Sequence, residues 1–180
     1  GNDFYQSVSP NSYFKADQVN GLNFPVQCMS NSWSDYDLDG DLDVLITDTA
    51  RTYLLQNDQG NFTPILDDAN VEFWTWSALW MDYNNDFYDD LLITGNNIVT
   101  NDGALFQMKN EFGQFQECEI NVPSTGRYFA SAKWDVNNDY RNDAILAPDS
   151  SFHPLILLNV LPANSAVKFS LKGQWSNVNG

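Results

Sequence analysis

One acidic segment, repeated three times, constrains the fold of this chain more than any other feature. "DYDLDGDLDVLITD" begins at Asp35, "DYNNDFYDDLLITG" at Asp82 and "DVNNDYRNDAILAP" at Asp135, so the copies start 47 and 53 residues apart. A run of aromatic and small residues precedes each copy, and a short apolar run follows it. Self-similarity at this period indicates a repeat architecture, in which each unit buries its apolar surface against its neighbours.

Each repeat predicts four strands joined by tight turns. The chain continues after each acidic segment with a second apolar run and a turn, as in "TYLLQNDQGNF" and "ALFQMKNEFGQF". Apolar runs without strict alternation suit strands that are buried on both faces. Four strands in about 45–50 residues is the size of a propeller blade. We therefore predict an all-β fold of about three four-stranded β-propeller blades, with "YFKA" at 13–16 as the last strand of a preceding unit.

Three blades are too few to close a ring, since propellers have about four to eight. Residues 1–162 are therefore expected to form an incomplete propeller or part of a larger assembly. A protein partner or neighbouring subunits would then cover the open blade edges. The segment "LPANSA" at 161–166 separates the repeats from a C-terminal segment, residues 163–180, that has a different sequence.

The strong excess of acidic residues indicates which kinds of molecule the chain can bind. The chain carries 8 Lys and Arg against 24 Asp and Glu, a formal net charge of −16. Nucleic acid and anionic membrane surfaces are excluded as partners, because both need clustered Lys and Arg. No run of about 18 apolar residues is present, so membrane insertion is not expected. Metal cations fit this balance better.

The acidic segments have the composition of cation-binding loops. An Asp or Asn occupies positions 1, 3, 5 and 9 of every copy: Asp35, Asp37, Asp39 and Asp43; Asp82, Asn84, Asp86 and Asp90; Asp135, Asn137, Asp139 and Asp143. Ca²⁺ takes about six to eight oxygen ligands, which a loop of this pattern can supply. Position 7 would give its backbone carbonyl, so its side chain can vary: Asp41, Tyr88 and Arg141.

We predict up to three calcium ions, bound most tightly by the first loop because it has four carboxylates at these positions. The other two loops each replace one carboxylate with Asn. The alternative is that the loops are Asx-turn hairpins without metal. An EF-hand is excluded, since position 12 is Ile46, Ile93 or Leu146 where that motif needs Glu.

On these loops and their spacing, residues 13–160 resemble the FG-GAP/VCBS repeat family of integrin-α-type propellers. In that family a "DxDxDGxxD" loop joins two strands of a blade and holds calcium. The resemblance implies a non-enzymatic, calcium-binding structural or adhesion module, extracellular or at the cell surface, that acts through protein contacts. The C-terminal "VKFSLKGQWSNVNG" resembles the start of the ASPIC/UnbV segment of cartilage-acidic-protein-like secreted proteins.

The chain departs from the family pattern at two points. The letters FG and GAP are not present in register. Glycine occupies position 6 in the first loop only, as Gly40, whereas the other loops have Phe87 and Tyr140.

Catalysis is not expected from the remaining residues. His153 is the only histidine, and most clustered acids belong to the loops. The alternative function is a lectin-like propeller that binds glycans through tryptophan. Trp74, Trp76 and Trp80 would form either a sugar-stacking platform or, as we favour, the core between blades, with Trp33 and Trp134 in the same role.

The sequence leaves open whether the two cysteines pair and whether its N-glycosylation sequon is used. Cys28 and Cys118 are either a disulfide, which would require an oxidising compartment, or two inert thiols. Asn61-Phe62-Thr63 is an N-glycosylation sequon that follows a turn, so we expect Asn61 to be exposed.

Overall fold

The computed structural model describes residues 5–15, 21–22, 27–49, 51–68, 73–118, 120, 126–149 and 153–161. Thirteen β-strands lie in these ranges, in four antiparallel sheets. The described residues form no helix, and so none that is long and apolar enough to cross a membrane. The all-β prediction is confirmed.

Three of the four sheets are blades in which consecutive strands pair as neighbours. The first blade contains β3 (Ser30–Ser34), β4 (Asp43–Thr47), β5 (Thr52–Asp58) and β6 (Asn61–Asp68). The second contains β7 (Phe73–Met81), β8 (Asp90–Asn97), β9 (Gly103–Glu111) and β10 (Gln114–Cys118). The third contains β11 (Tyr128–Trp134), β12 (Asp143–Pro148) and β13 (Leu155–Leu157). In every blade an acidic loop joins the first strand to the second.

The fourth sheet pairs only β1 (Tyr5–Ser9) with β2 (Ser12–Lys15). The strand predicted at "YFKA" is therefore present as β2, in a separate hairpin. The predicted C-terminal segment, residues 163–180, lies outside the described residues, as does the region where a fourth strand of the third blade would fall. The described strands do not close into a ring.

Two-residue turns join the third and fourth strands of the first two blades. Gln59 and Gly60 have φ angles of 51° and 88°, and Phe112 and Gly113 have φ angles of 54° and 81°. Two successive positive φ angles define the type I′ turn, whose twist matches that of the flanking strands. The dipeptides Gln59-Gly60 and Phe112-Gly113 therefore occupy the two central positions of these hairpin turns.

The apolar core lies between successive blades. Leu45 and Leu54 of the first blade pack with Ala78, Trp80, Leu91 and Ile93 of the second. Met81 and Leu92 of the second blade pack with Tyr128, Ala144 and Leu146 of the third. Strands buried on both faces explain why their apolar residues do not alternate with polar ones.

The tryptophans divide between this core and the surface. Trp80 is 3% exposed, which confirms its predicted place between blades. Trp33, Trp74 and Trp134 are 41%, 42% and 69% exposed, so the prediction that they fill the core is wrong. Trp134 lies opposite Asp143 at the end of β11, on the third blade, where the described residues supply no following blade.

The third blade has an apolar face without a described neighbour. Ile145 pairs with Ile156, as Leu45 pairs with Leu54 in the first blade. Leu45 and Leu54 are fully buried by the second blade, whereas Ile156 is half-exposed. This surface, which we call the forward face of the third blade, contains the side chains of Trp134, Ile145, Ile156 and Leu158.

Both cysteines are free thiols. Cys28 packs against the apolar cluster on the first blade, and Cys118 lies 3.5 Å from the hydroxyl of Tyr83. Of the two alternatives, the structure has the unpaired thiols. Asn61 is exposed at the start of β6, as predicted.

Candidate metal centre

The first acidic loop brings three carboxylates together. One oxygen from each of Asp35, Asp37 and Asp39 lies within 4.8 Å of the other two. The backbone N–H of Gly40 donates to Asp35 Oδ2 at 3.1 Å, and the N–H of Asp41 donates to Asp39 Oδ1 at 2.9 Å. The loop backbone therefore orients the side chains of Asp35 and Asp39 within this cluster.

Two of these oxygens are buried without a hydrogen-bond donor: Asp35 Oδ1 and Asp37 Oδ1. The other oxygen of Asp37 accepts a hydrogen bond of 2.7 Å from Nε2 of Gln56 on β5. An unpaired buried anionic oxygen is costly unless a cation lies beside it. The three carboxylates offer only oxygen atoms and lie close together, which fits Ca²⁺.

The second loop has the same frame but a different pattern of hydrogen bonds. Asp82 accepts from the N–H groups of Asp86 and Phe87, at 3.0 Å and 2.9 Å. Asn84 Oδ1 accepts from Asp86 N–H at 2.9 Å, and Asp86 Oδ1 accepts from Tyr88 N–H at 3.0 Å. Backbone N–H groups thus donate to one oxygen of each candidate ligand at positions 3 and 5, Asn84 and Asp86. Burial raises the pKa of Asp82.

The third loop differs because a cationic side chain lies in it. Arg141 Nε donates to Asp139 Oδ2 at 3.0 Å, and Arg141 Nη2 contacts the same oxygen. Asp135 and Asn137 occupy the positions that Asp35 and Asp37 have in the first loop. Both accept a hydrogen bond from Asp139 N–H, at 2.9 Å and 3.1 Å.

Position 7 therefore has a different neighbour in each loop. Asp41 Oδ2 accepts from Gln59 N–H at 2.7 Å, and the Tyr88 ring packs on Phe112 at 5.3 Å. Only Arg141 directs a charge at another candidate ligand. The prediction that position 7 ligates through its backbone carbonyl stays a prediction.

Position 6 adopts the left-handed backbone conformation in all three loops. The φ angles are 98° for Gly40, 77° for Phe87 and 66° for Tyr140. The turn that glycine makes in the first loop is thus made by aromatic residues in the others, at a cost of about 1–2 kcal/mol each. The missing glycines do not change the path of the loop.

The aspartates at position 9 are fully buried and join the loop to the third strand of their blade. The carboxylate accepts one N–H from position 2 and one from the third strand or, in the third blade, from just beyond it: Tyr36 and Asn57 for Asp43, Tyr83 and Asn110 for Asp90, Val136 and Asn159 for Asp143. The distances are 2.8–3.3 Å. Each aspartate therefore holds its hairpin together whether or not it also contributes to a metal site.

Burial of these carboxylates is electrostatically unfavourable in the absence of a cation. Burial raises the pKa of Asp43 to about 6, with Asp37 and Asp39 adding to the effect and the backbone N–H bonds opposing it. Burial likewise raises the pKa of Asp90 to about 7. A bound cation would oppose both effects, because it favours the charged form.

Sequence reasoning missed an asparagine that lies near the end of the third strand in the first two blades and two residues beyond it in the third. Asn110 is fully buried, and its Nδ2 donates to the carbonyls of Tyr36 at 2.8 Å and Asp89 at 3.1 Å. Its Oδ1 accepts from Gly113 N–H at 2.9 Å. Because Tyr36 belongs to the first loop, Asn110 joins two blades.

The equivalent residues repeat this arrangement. Asn159 of the third blade donates to the carbonyl of Tyr83 in the second loop. Asn57 of the first blade donates to the Leu42 carbonyl of its own loop at 3.0 Å. The recurrence of Asn in "QND", "KNE" and "LNV" is the signal that would have found them.

Replacing Asn110 with alanine should lower the free energy of unfolding by about 2–3 kcal/mol, because the Tyr36 and Asp89 carbonyls lose their donor in a buried place. Urea unfolding would measure the loss. Asn57→Ala is the matched control, since the described hydrogen bonds of Asn57 stay within the first blade, and it should cost less. Equal losses would contradict an inter-blade role for Asn110.

Comparison with known protein families supports the repeat that the acidic loops indicate. Residues 35–93 match the family model described as FG-GAP-like repeat. The match includes the first two acidic loops and the strands between them. No curated protein matches the chain. The tail resemblance stays a prediction. Residues 35–93 of this chain thus match an FG-GAP-like repeat, and in the structure they form parts of two blade-like units consistent with a β-propeller.

Proposed function

We propose that this protein is a calcium-stabilised propeller segment that serves as an extracellular or cell-surface structural or adhesion module. FG-GAP-type repeats are β-propeller-like interaction units and are in general non-enzymatic. The single observation that carries calcium binding is the pair of buried, unpartnered oxygens on Asp35 and Asp37.

Calcium would be held by the first loop through Asp35, Asp37 and Asp39, with Asp41 and Asp43 as further candidates. The second loop offers the corresponding set: Asp82, Asn84, Asp86, Tyr88 and Asp90. A bound ion would neutralise the carboxylates and fix the hairpin that joins the first two strands of a blade. Since the ion binds the folded chain, folding and binding are linked.

Asp39→Ala tests this proposal. In saturating calcium the variant should melt at a lower temperature than wild type, because an ion at about 100 times its Kd contributes about 2.7 kcal/mol. In excess chelator the two should melt together, or the variant slightly higher, because one of several like charges is gone. Differential scanning calorimetry measures both conditions.

The matched control is Asp102→Ala, which removes an exposed carboxylate far from the loops in sequence. It should leave the calcium-dependent rise in melting temperature unchanged. Equal melting of Asp39→Ala and wild type in saturating calcium would contradict a calcium site in the first loop.

We further propose that protein contact occurs at the forward face of the third blade, through a neighbouring subunit or a protein partner. Trp134, Ile156 and Leu158 are each at least half-exposed there, on the side that the preceding blades bury against a neighbour. This repeated geometry supports a partner that packs face to face against the blade.

A lectin-like role is the alternative, supported by the 42% exposure of Trp74 and the larger exposure of Trp134. Glycan-array binding that is lost on Trp74→Ala or Trp134→Ala, with the urea midpoint unchanged, would favour the lectin.

A further inference from the structure

We propose that the third acidic loop is closed by its own cation, the guanidinium of Arg141, and does not bind calcium. This inference rests on the proposed function, in which calcium occupies the loops of the first two blades. The third blade would then keep its loop folded without metal.

Arg141 is positioned as an internal counter-ion. Its Nε and Nη2 both contact Asp139 Oδ2, and its Nη1 donates to the carbonyl of Leu161 beyond β13. Asn137 Nδ2 donates to the same Asp139 oxygen at 2.8 Å. Only 18% of the Arg141 side chain is exposed. The guanidinium therefore connects the loop to the segment that follows the third strand, and this contact holds the guanidinium in place.

The other candidate ligands of this loop also have donors. Asp135 accepts from the N–H groups of Asp139 and Tyr140, both at 2.9 Å. Asp139 Oδ1 accepts from Arg141 N–H at 3.0 Å. Among the described residues, carboxylate oxygens that are buried without a donor occur in the first loop and in neither of the other two, so it is the Arg141 side chain that separates the third loop from the second. The observation that supports calcium in the first loop is thus missing here.

The charges of the loops differ in the same direction. From position 1 to position 9, the first loop has five carboxylates and no basic residue. The third has three carboxylates, Asp135, Asp139 and Asp143, and one arginine. Calcium affinity falls with fewer ligand charges, and a calcium ion here would be repelled by the guanidinium.

One side chain therefore decides which kind of cation the loop uses. Position 7 is Asp41 in the first loop and Tyr88 in the second, and neither supplies a positive charge. Replacing Arg141 by a neutral residue of similar length should leave Asp139 Oδ2 open to a metal ion. Arg141→Gln is that change, and Arg141→Lys is the control that keeps the charge.

Isothermal titration of calcium into the full chain, combined with Asp135→Ala, tests the inference. Asp135→Ala should leave the number of bound ions unchanged in the wild-type background. Arg141→Gln should bind one more ion than wild type, and adding Asp135→Ala to it should remove that ion. Arg141→Lys should bind the wild-type number.

Stability gives a second readout. Arg141→Gln should melt below wild type in chelator, since the carboxylates lose their counter-ion, and calcium should raise its melting temperature more than that of wild type. An ion lost from wild type on Asp135→Ala would overturn the inference, and so would an Arg141→Gln chain that binds no additional ion. Calcium binding that is absent from wild type, or that is present but unaffected by Asp39→Ala, would instead overturn the proposed function.

Discussion

Replacing Asp90 with alanine is expected to lower the free energy of unfolding by about 2–4 kcal/mol, whether calcium is present or not. The Asp90 carboxylate is fully buried and accepts the N–H groups of Tyr83 at 3.1 Å and Asn110 at 2.8 Å. Alanine would leave both donors unpaired, at about 1–3 kcal/mol each. Part of that cost is offset, because the variant no longer buries a carboxylate whose pKa is raised to about 7.

Urea unfolding in chelator and in excess calcium measures this effect. The loss for Asp90→Ala should already be present in chelator, and any contribution of Asp90 to a calcium site would add to it in calcium, whereas the loss for Asp39→Ala should occur only in calcium. Asp90→Asn keeps one acceptor and should cost less than the alanine change. An Asp90→Ala loss confined to calcium would mean that Asp90 acts as a metal ligand and not as the link between the loop and β9.

The contrast between Asp39 and Asp90 separates two roles that look identical in the sequence. Both are acidic residues of the same repeated motif. In the structure Asp39 is exposed and lies beside two other carboxylates. Asp90 is fully buried and accepts hydrogen bonds from the backbone N–H groups of Tyr83 and Asn110. Position in the motif predicted the loop, but the partner of each carboxylate depends on the strand that follows.

The blade fold was predictable because it is a property of single repeats. The apolar runs, the acidic loops and the turns each lie within about 50 consecutive residues, so one copy contains the information for its own hairpins. Asn110 was missed for the opposite reason. Its partner Tyr36 is 74 residues earlier in the chain, and no local pattern pairs them.

The burial of the tryptophans failed as a prediction for a related reason. Trp33 and Trp80 both stand two residues before the first aspartate of a loop, but Trp33 is 41% exposed and Trp80 is 3% exposed. Trp134 stands one residue before its loop, so its side chain lies on the other face of its blade. Whether such a ring is buried depends on the neighbour of its blade, which the repeat pattern does not specify. Arg141 is a third case, since the loop pattern assigned only its carbonyl a role while its side chain binds within the loop.

Replacing Trp80 with alanine should give the other large effect, a loss of about 3–5 kcal/mol. Trp80 stacks on Tyr36 of the first loop, with ring centroids 6.0 Å apart, and contacts Phe115 of β10 at the same distance. Its Nε1 also donates to the carbonyl of Ser32 at 3.4 Å. The substitution would leave a cavity between the first and second blades, because residues of both blades pack around the Trp80 ring.

Trp134→Ala is the matched control, because it removes the same side chain from a largely exposed position on the third blade. Its loss of stability should be below about 1 kcal/mol. Chemical unfolding followed by far-ultraviolet circular dichroism measures both variants without relying on tryptophan emission. If Trp134→Ala proved as costly as Trp80→Ala in the isolated chain, its ring would have to be buried in solution, and the forward face of the third blade would already be covered. A large loss for Trp80→Ala alone would establish the blade interface as the source of stability and leave the forward face as the surface available for a partner.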